Sequence, residues 1–133
     1  MIRVTRQYQF SASHRLHAPG LSDSENAELF GKCNNPYGHG HNYQIEVSAR
    51  GPVDDRSGRA LDPRTLDLLV QAQVLEPFDH QNLNTRAEFA ELVPTTENLA
   101  AVIYHILKRQ FHAAHLERVR IDETANNSFE YRG

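Results

Sequence analysis

Ile2, Val4, Tyr8, Phe10 and Ala12 all fall on even positions of the first segment, and this period of two predicts a strand with one apolar face. Pro19-Gly20 and Ser22-Asp23-Ser24 interrupt it as turn and cap signals. Ser24–Leu29 then suits a short helix, and Asn34-Asn35-Pro36-Tyr37-Gly38 reads as a tight loop. Tyr43, Ile45, Val47 and Ala49 alternate with Gln44, Glu46 and Ser48, which predicts a second half-buried strand. Gly51-Pro52 and Asp55-Arg56-Ser57-Gly58 mark turns after it. Asp62-Pro63 pairs an N-cap with a proline at the first helical position, and Leu66, Leu69, Val70 and Val74 share one helical face. Pro77 is expected to stop that helix. Thr95-Thr96-Glu97 opens another, with Leu99, Val102, Ile103 and Ile106 on its apolar stripe. Val119 and Ile121 begin a third strand, and Asn126-Asn127 turns into a fourth carrying Phe129 and Tyr131. The predicted order is ββααββ. It is an α+β fold, one domain over residues 1–133, with a four-stranded antiparallel sheet covered on one face by two helices.

Composition narrows the function classes. Fourteen Lys+Arg against seventeen Asp+Glu leave a net charge of −3, which argues against a basic nucleic-acid binder. Hydrophobic residues at 39% and charged residues at 23% suit a globular chain, and no apolar run reaches the length of a membrane span. Met1–Ser11 lacks the charged-then-apolar order of a secretory signal. The single cysteine, Cys33, has no internal partner, so a free thiol in a reducing, cytoplasmic setting is expected.

Eight histidines in 133 residues direct attention to metal and acid–base chemistry. His39 and His41 stand two apart, so in an extended chain both point to one side, the side of Tyr43 and Ile45. His14 continues the even-parity face of the first strand. Three imidazoles leaving the core face at one end of two adjacent strands form a His₃ zinc set with a fourth position open. The glycines flanking His39 leave room for close backbone approach. Set against this is a cluster of surface histidines, since His-x-His alone is a weak signal. His17 is a rival third ligand, off parity and past the strand. His105, His112 and His115 read as solvated histidines in or just after the second helix.

Cys33, six residues before His39, has three readings: a fourth ligand closing the site, a reactive thiol with its pKa lowered by cations or imidazole, or an inert buried thiol. Asp79-His80 is either an acid–base pair or two neighbours pointing apart. Glu123 shares parity with Val119 and Ile121, so its carboxylate is expected to face inward. It then needs either an arginine or a ligand edge offering two parallel N–H donors.

Five segments together resemble the 6-pyruvoyl-tetrahydropterin synthase family: Phe10–His14, Phe30–Tyr43 with its Cys33 and His39-Gly40-His41, Leu75–Leu83 with Asp79-His80, Pro94–Asn98, and Val119–Asn127 with Glu123-Thr124. They run nearly end to end in the family's order. The resemblance implies the tunnelling fold, with subunits joined through their sheets into trimeric barrels that stack as a homohexamer. It implies His14, His39 and His41 as zinc ligands and Cys33 as the residue that abstracts a proton. Asp79 and His80 would be partners of that thiol supplied across a subunit interface. Glu123 would hold the 2-amino and N3 edge of a pterin, with Thr95 and Thr96 nearby.

Within the family, five residues between the cysteine and the first histidine, here Asn34–Gly38, mark the branch that eliminates triphosphate from 7,8-dihydroneopterin triphosphate. The 6-carboxy-tetrahydropterin branch, on the route to queuosine, usually has three, and side-chain-cleaving relatives replace the cysteine by glutamate. The implied activity is thus a zinc-dependent phosphorus–oxygen lyase on a pterin triphosphate. The alternatives are the carboxy reaction and a non-catalytic zinc protein with a closed Cys33-His₃ site. Tyr37 stands where a small polar residue is usual, a ring expected to crowd the pocket; Lys32 and Arg15 are the nearest cations in sequence for the triphosphate.

Overall fold

The computed structural model describes residues 1–133. Strand β1 runs Ile2–His14 and pairs antiparallel along its whole length with β2, His39–Gly51. Between them lies helix α1, Asp23–Phe30. Its Ser22 cap accepts from Glu25 N–H while the Glu25 carboxylate accepts from Ser22 N–H, a reciprocal capping box. Helix α2, Pro63–Val70, is capped by Asp62 with Pro63 at its start, as the sequence indicates. Helix α4, Thr96–Gln110, is capped by Thr95 and leads to β4, His115–Asp122, and β5, Ser128–Tyr131. No helix is long and apolar enough to cross a membrane.

The sheet has five strands, not the expected four, in the order β3-β1-β2-β4-β5. The additional strand, β3, is only Gln81–Asn82 and lies parallel to Ala12-Ser13 of β1. Two residues carry no readable alternation, so nothing in the sequence distinguishes β3 from a loop.

Pro77 does not end its helix. After Val70 the chain passes through a π turn, Gln71–Leu75, and a last turn α3, Glu76–Phe78, before leaving at Asp79. The widened turn shifts the hydrogen-bond register, so the N–H that proline lacks is not needed, and Asp79 N–H closes onto Leu75 O at 2.9 Å.

Alternation on β1 and β2 holds: Phe10, Ala12, Tyr43, Ile45, Val47 and Ala49 are buried, although Ile2 at the far end is exposed. Strand β4 begins four residues before Val119. A bulge opposite Ser48/Ala49 resets its parity, so Leu116 faces the core together with Val119 and Ile121. Against this face pack Leu66, Val70, Val74 and Phe78 from α2 and its continuation. The stripe of α4 is rotated from the expected one. Leu99, Ala100, Ile103, Tyr104 and Leu107 are buried, while Val102 and Ile106 sit at the margin. Tyr104 supplies the apolar bulk that the predicted stripe took from the isoleucine and valine.

Candidate metal centre and active site

The end of the core face where β1 and β2 begin to part gathers the expected metal-ligating residues. The antiparallel register sets His14 opposite His39 and Ala12 opposite His41. His14, 1% exposed, brings its Nε2 to 3.0 Å from His41 Nε2. The His39 ring stands 4.4 Å from that of His41 and 6.3 Å from that of His14, centroid to centroid. All three expected imidazoles are therefore adjacent. The tightest set of donor atoms, though, is His14, His41, Cys33 and Glu123, whose ligand atoms lie within 4.8 Å of one another. His17 stands apart, its Nδ1 3.2 Å from the Asn34 amide.

Gly38 is the hinge of this arrangement. Its φ is +70°, and a Cβ there would lie 2.5 Å from the His14 carbonyl oxygen. Gly40 has no such need, since a Cβ would meet only the Ala12 carbonyl at 3.8 Å. Gly38→Ala is therefore expected to lose roughly 2–4 kcal/mol of stability, because strain and a backbone clash act together. Urea denaturation checks this, and an unchanged midpoint would refute it.

The chemical state of the imidazoles suits a cation. His14 Nδ1 lies 2.9 Å from the Pro94 carbonyl, which can only accept, so Nδ1 carries the hydrogen and Nε2 presents a lone pair. Burial pulls the His14 pKa down against the opposing Pro94 contact, and burial likewise lowers that of His41. Both shifts favour the neutral ring, the form that ligates metal. This is a donor set that fits a divalent ion.

Cys33 sits in a 3-10 turn, Gly31–Asn34, latched to the chain just past His14. Leu16 N–H donates to Cys33 O at 2.6 Å, and the Asn34 amide donates to Leu16 O at 2.7 Å. The half-buried sulfur is 3.9 Å from His41 Nε2. The expected depression of its pKa is not produced by the chain's own groups. Burial, and then the Glu123 carboxylate, push the thiol up.

Glu123 follows β4 and does turn inward. Its partners are neither an arginine nor a free edge: Oε2 accepts from the buried Thr96 hydroxyl at 2.6 Å, and Oε1 is 3.1 Å from His41 Nε2. Thr95 is occupied as the cap of α4, accepting from Asn98 N–H.

Asp79 and His80 do point at each other, Oδ2 to Nδ1 at 3.1 Å, but at the sheet edge and not at the thiol. The Asp79 carboxylate also accepts from Ser11 N–H, which holds its pKa below the usual carboxylate range. His80 has φ +59° and an 82% exposed side chain. It borders a pocket of about 480 Å³ lined also by Ser11, Ser13, His41, Asn42 and Gln81, so this pocket reaches one of the expected metal ligands. Tyr37 is 98% exposed and crowds nothing. Arg15 donates through Nε to the Asn34 carbonyl beside the cysteine turn. Sequence reasoning missed the Pro94 carbonyl, a backbone atom with no signature in the residue types.

The family model described as 6-pyruvoyl tetrahydropterin synthase matches residues 3–133. The chain belongs to that family. It is 46% identical over 132 residues to a 6-pyruvoyl tetrahydrobiopterin synthase of Drosophila melanogaster, covering 98% of this chain and 79% of the fly protein. The solved structure of Caenorhabditis elegans 6-pyruvoyl tetrahydropterin synthase superposes with a TM-score of 0.92 at 44% identity, covering 99% of this chain and 95% of that one. A putative 6-carboxy-5,6,7,8-tetrahydropterin synthase of Archaeoglobus fulgidus is 33% identical over 123 residues, covering 92% of this chain and 89% of that protein. Membership in this synthase family makes the tunnelling fold and a lyase the frame for the cluster just described.

Proposed function

We propose that this single-domain chain converts 7,8-dihydroneopterin triphosphate to 6-pyruvoyl-tetrahydropterin, with His14, His39 and His41 holding zinc. The observation that carries this reading is the meeting of the buried His14 imidazole and the partly buried His41 imidazole with the Cys33 sulfur and the Glu123 carboxylate in one cluster. Glu123, fixed by the Thr96 hydroxyl, takes the 2-amino and N3 edge of the pterin, while Thr95 and Thr96 border the ring. Held by His14, His39 and His41, zinc would supply Lewis-acid polarisation of the substrate's side-chain hydroxyls and a positive charge near the Cys33 sulfur. Cys33 removes the proton from the adjacent carbon, and the electron pair forms the enol as the carbon–oxygen bond to triphosphate breaks. Tautomerisation then places hydrogens on the pterin ring, so the side chain is oxidised as the ring is reduced and no redox cofactor enters.

Asp79 and His80, paired with each other at the sheet edge, serve the thiol of a neighbouring subunit in a homohexamer, in the cytoplasm. The unpaired outer edge of β1 below Ala12 and the edge strand β5 support such an assembly, since open edges favour pairing. The five-residue Asn34–Gly38 spacing favours the pyruvoyl product over the 6-carboxy one. Incubation of the purified protein with dihydroneopterin triphosphate should release triphosphate and yield the pyruvoyl product, from a species that light scattering weighs as a hexamer. A carboxy product points to the second reaction. No turnover, with Cys33 sulfur bonded to the metal at about 2.3 Å, points to a closed structural zinc site.

A further inference from the structure

Tyr43 stands on β2 two residues past His41 and is fully buried. Its ring stacks on Phe10, centroids 5.3 Å apart at 29°, and Phe10 in turn meets Phe78 at 6.3 Å. An aromatic column thus leads from the core to the histidines. For packing alone phenylalanine would serve better, because a buried hydroxyl costs free energy unless it is hydrogen-bonded. The Tyr43 oxygen has one such neighbour, His14 Nδ1 at 3.3 Å.

We infer that the Tyr43 hydroxyl is a positioning group for His14, flanking its Nδ1–H together with the Pro94 carbonyl so that Nε2 stays aimed into the metal cluster. A neutral imidazole carries one N–H. The Pro94 carbonyl assigns it to Nδ1, and the phenol oxygen accepts a second, longer share of the same hydrogen. One acceptor leaves the ring free to swing about that bond, and a second contact at the same nitrogen restrains that swing. The rings also meet edge to face, 6.4 Å apart at 78°. Tyr43 is held rigidly by Phe10 and His14 by its burial, so the contact joins two fixed groups and needs little ordering on metal binding.

The inference rests on the zinc reading above, and the two fail differently: a wild-type chain that binds no zinc defeats that reading, whatever Tyr43 does. The test compares wild type, Tyr43→Phe and Phe10→Leu as full-length protein. Zinc affinity is read by chelator competition, the His14 Nδ1–H by its downfield proton resonance, and the ligand field by the absorption spectrum of the cobalt-substituted protein. Tyr43→Phe is expected to weaken zinc about tenfold, at the lower end of what loss of a ligand's supporting hydrogen bond costs. It should also shift both spectroscopic signatures while the metal-free protein keeps its thermal midpoint. Phe10→Leu should lower that midpoint and leave the signatures in place. Affinity within twofold of wild type and unchanged spectra in Tyr43→Phe would overturn the inference. Equal metal loss in both variants would also overturn it, by making the tyrosine a packing residue only.

Discussion

Replacing Cys33 by alanine is expected to leave the protein folded and zinc-loaded while turnover falls by ~10²–10⁴-fold, the usual contribution of a positioned base. The backbone bond from Leu16 N–H to the Cys33 carbonyl does not depend on the side chain, so the turn survives the change. The sulfur lies 3.9 Å from His41 Nε2, beside the imidazole edges, and the chain's own groups push its pKa up. A cation held by the neighbouring imidazoles would counter that upward push and favour the thiolate, the form that accepts a proton. Zinc content measured beside activity decides the matter. An active variant removes Cys33 from the chemistry, and an inactive variant stripped of metal makes it a ligand.

His39→Ala is expected to lose most of the bound zinc, although its donor atom lies outside the tightest cluster. The argument is one of ligand type and freedom. Besides His14, His39 is the imidazole next to His41, and its ring, 4.4 Å away, is only partly buried. Glu123 is already committed through Oε2 to Thr96, and that threonine is buried at the start of α4. The comparison is Glu123→Gln, which should retain zinc and lose pterin binding. Full zinc stoichiometry in His39→Ala together with loss in Glu123→Gln would exchange the two roles.

The histidine positions were legible because strand parity is local. His14, His39 and His41 lie in phase with Phe10, Ala12, Tyr43 and Ile45, and a period of two carries a side chain to the same face wherever the sheet goes. The caps Ser22, Asp62 and Thr95 were legible for the same reason, since each hydrogen bond closes within three residues. What tertiary structure alone decided are matters of long-range pairing. Strand β3 exists only because Gln81–Asn82 finds the end of β1, and the bulge opposite Ser48/Ala49 exists only because β4 must match β2. Pro77 stays helical because the preceding turn widens to π, a register no residue type announces. The partner of Glu123 proved to be a threonine 27 positions away, and the tautomer of His14 is selected by a carbonyl 80 positions away. Residue chemistry states what each group needs; only the folded chain determines which distant atom meets that need.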